Sequence, residues 1–267
     1  FTYQWQSRDQ QQLELRSYNV SNQQQKLVLK EQSDTWVNLH DDFTFLADGK
    51  HFIWASERDG FKHLYLFSNE GKLVRQLTAG EWVVDELEAV NDKTGQVYFT
   101  GRMDTPLERH LYVTNLEGST PQRLTARDGM HGISFSRDAS IYVDSSSTAN
   151  RPTQVSLHSA NGKQLTWLEE NALDENHPLT PYLSDWVEPE FGTITNDDDI
   201  DLHYRLYKPA ELKGKHPVIV YLYGGPHAQV VNNAWGGNRG LLMQHWVSKG
   251  YVVFSIDNRG SNYRGKA

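Results

Sequence analysis

The chain has 267 residues, 37% of them hydrophobic and 22% charged, which is enough for one or two domains with a proper core. A net charge of −8 without a Lys/Arg cluster speaks against a phosphate-backbone partner, so no nucleic-acid partner is expected. The longest purely apolar run, Val218 to Tyr223, is six residues, far short of a bilayer span, and no membrane-spanning segment is expected.

Zero cysteine excludes disulfides, a thiol nucleophile and thiolate metal sites but leaves the compartment open. Eight Trp and thirteen Tyr favour β structure. The chain begins Phe-Thr-Tyr-Gln-Trp, without an initiator Met or a charged-then-apolar leader, so any targeting peptide is expected upstream. A periplasmic or secreted parent is the expectation.

The first 170 or so residues repeat. A faint copy, Leu13–Tyr18 with Lys26–Leu29, opens the chain. Phe43–Trp54 then reads as a strand, an Asp48-Gly49 turn and a strand, followed by His63–Phe67 and Gly71–Thr78. The pattern returns as Gln96–Thr100, His110–Val113 and Pro121–Thr125, and again as Ile133–Tyr142, Gln154–Leu157 and Gly162–Thr166. The His-Leu-Tyr anchors at 63 and 110 and the Leu-Thr anchors at 77 and 124 share one offset of 47 residues. Short strands recurring at this spacing, with tight turns between them, predict about four β-propeller blades over residues 1–180. A β-sandwich with coincidental spacing is the alternative. Glu86, Glu88, Glu169 and Glu170 are read as solvated carboxylates, and Asn19-Val20-Ser21 fits a glycosylation acceptor.

Pro178, Pro181 and Pro189 break the pattern and place a boundary near residues 172–190, with a second domain over 181–267. Phe191–Thr195, the turn Asn196–Asp199 and Leu202–Tyr207 predict an antiparallel hairpin. Val218–Leu222 is apolar on both faces, as a strand buried between helix layers must be. Gly240–Lys249 has helical spacing with Gly250 as its stop, and Tyr251–Ile256 completes a strand–helix–strand unit. The fold class expected is therefore mixed, with C-terminal propeller blades followed by the N-terminal part of an α/β-hydrolase domain.

The chemistry sits at the ends of the two apolar strands. The first runs into Tyr223-Gly224-Gly225-Pro226, the second into Asp257-Asn258-Arg259-Gly260. A hydrolase of this type places its nucleophile in a Gly-x-Ser-x-Gly elbow. Gly132-Ile133-Ser134 is the one Gly-x-Ser present, and Ser136 stands where the second glycine belongs. The chain is thus expected to be a piece of an enzyme, inactive alone for want of a catalytic triad. No His-Glu-x-x-His, no set of ligand-spaced residues and no phosphate-cradling loop occurs, so no metal and no cofactor is expected. Asn196–Asp201 lacks the central Gly and closing Glu of a calcium loop and reads as a charged turn.

Tyr223-Gly-Gly-Pro226, Asp257-Asn-Arg-Gly-Ser261 and Arg264-Gly265 resemble the prolyl oligopeptidase superfamily, and within it the dipeptidyl peptidase IV subfamily. Phe43–Asp48, Ser56–His63 and Ile133–Ser136 extend the resemblance to the propeller side, over nearly the whole chain. It implies a serine exopeptidase that releases Xaa-Pro or Xaa-Ala dipeptides from free N-termini of peptide substrates. The two domains would enclose a substrate cavity, a carboxylate pair on a propeller insertion would bind the free amine, and the parent could be a homodimer. The resemblance makes Tyr223 the oxyanion-hole donor; a core tyrosine with its hydroxyl bonded to backbone is the plain alternative. Gly224, Gly225 and Pro226 would let the loop approach substrate through positive-φ backbone, while Phe61 and Lys62 would line the cavity or simply form a blade turn. Tyr221 is read as packing, and Asp257, Asn258 and Arg259 as loop support. An acylaminoacyl or prolyl oligopeptidase relative, or a dead family member acting as a binding protein, are the competing readings.

Overall fold

A computed structural model describes residues 1–266. Four antiparallel sheets follow one another along the chain. The first has three strands, β1 (Thr2–Gln6), β2 (Gln12–Asn19) and β3 (Gln24–Gln32). The second has four, β4 (Phe43–Phe45), β5 (His51–Ser56), β6 (His63–Ser68) and β7 (Leu73–Gln76). The third is β8 (Val84–Asn91), β9 (Gln96–Gly101), β10 (His110–Asn115) and β11 (Gln122–Arg123), and the fourth β12 (Met130–Phe135), β13 (Ile141–Thr148), β14 (Arg151–Ser159) and β15 (Gln164–Glu169). In each sheet spatial order equals chain order, the meander of a propeller blade. β1 and β8 are absent from the sequence prediction. β8 carries Asp85, Glu86 and Glu88, poor strand formers, and its register against β9 shifts twice.

The repeated anchors have a physical purpose. In the second sheet the Thr78 hydroxyl lies 3.0 Å from His63 Nδ1 and accepts the Leu64 N–H at 3.0 Å. In the third, Thr125 does the same for His110 (3.0 Å) and Leu111 (3.3 Å). The threonine thus satisfies a backbone donor and a buried imidazole that would otherwise be stranded in a dry interior. A second recurring device is the turn before each outer strand. Gly71, Gly118 and Gly162 all adopt positive φ, and a Cβ there would fall 1.6, 3.0 and 2.9 Å from the carbonyl oxygens of Val28, Gln76 and Leu124 respectively. Only glycine permits both that conformation and that approach to the preceding repeat.

The chain divides into two compact units. One comprises Phe1–Gly101 and Tyr112–Arg123 with Gly265 and Lys266, the other Arg102–Leu111 and Leu124–Arg264. The core of the first is built from β2, β3, β5 and β6, where Leu13, Leu15, Phe52, Trp54, Tyr65 and Phe67 pack together. The Phe52 and Phe67 rings stack with centroids 5.5 Å apart.

In the second unit, beyond β15 and a short 3₁₀ turn at Thr180–Asp185, lies a mixed sheet. It contains β16 (Glu190–Thr195), β17 (Asp201–Tyr207), β18 (Val218–Leu222) and β19 (Val252–Ile256), with helix α1 (Gly237–Ser248) between the last two. Spatial order is β16-β17-β19-β18; β18 and β19 are parallel and the other pairs antiparallel. Met243 and Val247 of α1 pack with Tyr207 and Val253, and Tyr221 joins this cluster, as the packing reading of Tyr221 required. Gly250 ends the helix with φ +86°. Within these residues β18 has a helix on one face only. It is an edge strand, and Val218, Val220 and Leu222 are each more than half exposed, because α1 covers only the opposite face. Among the described residues, no helix is long and apolar enough to cross a membrane.

Candidate active site

Parallel pairing of β18 with β19 brings their carboxyl ends side by side, with Leu222 opposite Ile256. This is where open α/β sheets bind ligands. Tyr223 leaves β18 there and is 54% exposed, so its phenol is not the buried, backbone-bonded group of a core tyrosine. Its ring lies directly over Gly225, where a Cβ would meet ring atoms at 2.7 to 3.1 Å. The glycine is needed for that close approach. Gly224 and Gly225 do not use the positive φ open to glycine; His227 does, at +66°. Pro226 is exposed and lies in the turn, four residues beyond the end of β18.

The turn is fixed by side chains from the end of β19. Asn258 Nδ2 donates to the carbonyls of Tyr223 (3.1 Å) and Gly225 (3.4 Å), and its Oδ1 accepts the Gly260 N–H at 2.8 Å. His227 N–H donates to Gly260 O at 2.9 Å. Asp257, only 2% exposed, accepts the N–H groups of Val230 (2.7 Å) and Val231 (3.2 Å) and faces the Tyr263 hydroxyl at 3.4 Å. Burial pushes the Asp257 carboxyl above its ordinary range, partly offset by those backbone donors. Arg259 pairs with Asp198 at 2.8 Å on the surface, and Arg264 donates to the Asp201 carbonyl. These contacts join the Asn196–Asp199 turn to the same assembly.

The segment after the turn is clasped by blade loops of the same unit. Asn233 donates from its backbone to Leu107 O (2.9 Å) and from Nδ2 to Glu108 Oε1 (2.7 Å), while its Oδ1 accepts the Ala149 N–H (3.0 Å). Gln229 Nε2 donates to Pro106 O at 2.8 Å, and Trp235 N–H to Ser147 Oγ at 3.2 Å. The other Glu108 oxygen lies 2.9 Å from His110 Nε2. Burial opposes ionisation of Glu108, but the His110 and Asn233 hydrogen bonds outweigh it and hold the carboxyl below its usual range. Sequence reading missed this clasp. Glu108 and Asn233 are 125 residues apart, and neither lies in a motif.

The two propeller residues expected near substrate have neighbours in the first unit. Lys62 is paired with Asp42 at 2.5 Å and donates to Asp85 O at 2.7 Å. Gly265 packs against the ring of Phe61, whose atoms would lie 3.0 Å from a Cβ there. Both residues are half-buried. Glu86, Glu169 and Glu170 are exposed, but Glu88 is half-buried and accepts the Thr100 hydroxyl at 2.9 Å, correcting its reading as a solvated carboxylate.

The profile of the family described as the dipeptidyl peptidase IV N-terminal region matches residues 1–153. Mouse dipeptidyl peptidase 8 is 32% identical over 279 residues, covering 90% of this chain and 31% of that protein. A probable dipeptidyl-aminopeptidase B of Aspergillus clavatus is 32% identical over 220 residues, covering 78% of this chain and 23% of its own length. Among solved structures, Porphyromonas gingivalis dipeptidyl peptidase 4 superposes with a TM-score of 0.89 at 28% identity, covering 99% of this chain and 37% of that one. A putative dipeptidyl aminopeptidase IV from Bacteroides ovatus gives 0.85 at 32% identity, covering 99% and 40%. The chain spans between about a quarter and a third of the length of the curated relatives it matches, 31% of the mouse protein and 23% of the Aspergillus clavatus one.

Proposed function

This chain belongs to the dipeptidyl peptidase IV family, and from that premise we propose that its parent is a serine dipeptidyl peptidase. Residues 1–180 supply blades of its propeller, and residues 181–267 open its peptidase domain. Its substrates are peptides with free N-termini, from which it releases Xaa-Pro or Xaa-Ala dipeptides through an acyl-enzyme.

The observation that carries this reading is the exposed Tyr223 phenol at the carboxyl end of β18, on a turn whose carbonyls are held from β19. When a serine oxygen attacks the scissile carbonyl, the C=O π electrons move onto oxygen. The Tyr223 O–H donates a hydrogen bond to that developing negative charge. The base of the triad takes the serine proton on attack and gives it to the leaving nitrogen as the intermediate collapses, which expels the amine and leaves the acyl-enzyme for water to hydrolyse. A preorganised donor of this kind favours the charged intermediate over the neutral substrate, which is what accelerates the step. Gly224, Gly225 and Pro226 shape the approach to it. The nucleophile, acid and base of the triad are assigned to the parent outside these residues, so the 267-residue chain alone is inactive.

The test is to assay the intact parent on Gly-Pro-nitroanilide and on the same compound acetylated at its amine. Cleavage of the free form alone supports the proposal. Cleavage of the blocked form after its proline assigns the parent to the prolyl oligopeptidases instead, release of nitroanilide from an acetyl-alanine nitroanilide assigns it to the acylaminoacyl peptidases, and a folded parent inert toward all three supports the binding-protein reading.

A further inference from the structure

We infer that Asn258 is the positioning residue of the oxyanion turn, setting where the Tyr223 phenol stands. This rests on the reading of Tyr223 given above and names the group through which its aim is controlled. Asn258 is the second residue beyond β19, and parallel pairing with β18 places it beside the Tyr223–Gly225 turn. Its carboxamide uses both chemical ends. The Nδ2 group reaches the carbonyls of Tyr223 at 3.1 Å and Gly225 at 3.4 Å, and Oδ1 takes the Gly260 N–H at 2.8 Å. The Tyr223 ring rests on Gly225, so the position of the phenol follows the position of that residue's backbone. Asn258 holds the backbone on which the Tyr223 side chain is mounted and the backbone on which its ring rests, by the carbonyls of Tyr223 and Gly225.

Among the side chains of this size, only asparagine fits the demand. Two carbonyl oxygens must be met by N–H donors, and one backbone N–H by an acceptor. Aspartate has the same shape but presents acceptors only, and would set a carboxylate oxygen against two carbonyl oxygens. The preceding residue divides the task. Asp257 holds Val230 and Val231, so the loop from Tyr223 to Val231 is anchored at both ends by consecutive side chains. Asn258 touches neither the reacting atoms nor the phenol oxygen in this arrangement; its effect passes through the turn.

The experiment is a double-mutant cycle in the intact parent, measuring kcat and KM on Gly-Pro-nitroanilide together with the melting temperature. Asn258→Ala and Asn258→Asp are each combined with Tyr223→Phe. Because misplacing a catalytic group by an ångström costs up to about a hundredfold, each Asn258 variant is expected to lower kcat at least about tenfold with KM within about twofold. In the Tyr223→Phe background the same substitutions should change kcat by less than about twofold, since the group they aim is gone. Asn258→Asp keeps the shape and the Gly260 acceptor, so its loss of kcat at an unchanged melting temperature separates aim from folding. Equal losses in both backgrounds would overturn the inference, as would unchanged kcat in the Asn258 variants while Tyr223→Phe is slow. If Tyr223→Phe alone leaves kcat intact, the oxyanion reading itself falls and takes this inference with it.

Discussion

Strands β5 and β18 are both apolar runs, yet their surroundings are opposite. Phe52, Ile53, Trp54 and Ala55 of β5 are 0% exposed, whereas Val218, Val220 and Leu222 of β18 are 57%, 56% and 55% exposed. A blade strand finds its hydrogen-bond partners in the hairpins on either side of it in sequence. Its side chains are covered by the neighbouring repeat, as Phe52 and Trp54 are by Leu13 and Leu15. A strand of an α/β sheet needs cover from elements distant in sequence, and α1 provides it on one face only. Within these residues the same composition makes a closed core in one region and an uncovered strand face in the other.

This contrast can be broken at graded cost. Phe52→Ala removes a wholly buried ring stacked on Phe67 and should destabilise the first unit by about 3–5 kcal/mol, read from urea unfolding. Next comes pH. Burial, set against the nearby Asp42, pushes His40 down to about 4, with its ring edge-on to Trp54 at 4.5 Å. A histidine whose folded pKa is depressed stabilises the fold fully above its ordinary value, and that stability is lost as pH falls through the folded one. Between about pH 6.5 and pH 4 the first unit should therefore lose up to about 3 kcal/mol through this group, and His40→Gln should flatten that part of the curve.

Thr78→Val and Thr125→Val take the threonine oxygen away from a buried backbone N–H and from Nδ1 of an imidazole in their respective blades. Each should cost about 1–3 kcal/mol, similar in the two because the geometry is the same. Smallest is Val220→Thr on the open strand. The melting temperature should shift by the equivalent of no more than about 0.5 kcal/mol, and light scattering should fall because an apolar edge is blunted. A large destabilisation there would mean that β18 is covered after all.

What was legible in the sequence follows the same division. The blades showed through because their anchors, His63 with Thr78 and His110 with Thr125, recur at one offset and form the same contact each time. β8 stayed hidden because its acidic residues dilute the strand pattern, and its place is set by pairing with β9 and by Asp42 accepting the Leu87 N–H. At the site, the Gly-Gly-Pro turn and the Asp257–Arg259 run were visible as motifs, and the reading of Asp257, Asn258 and Arg259 as loop support matches the contacts they make. The sequence offered positive φ at the two glycines, which tolerate it most easily; the turn uses Gly225 for closeness to the Tyr223 ring and has its positive φ at His227, which no motif marks. The Glu108–Asn233 clasp left no trace in the sequence, since a hydrogen bond between distant, unremarked residues has no periodicity to reveal it.

The most direct test of the site is kcat for the intact parent and its Tyr223→Phe variant on Gly-Pro-nitroanilide. Loss of one oxyanion donor should lower kcat about 10²–10³-fold, with the melting temperature unchanged because the phenol is exposed. An undiminished kcat in the variant would contradict the assignment and leave Tyr223 a surface residue on a rigid turn.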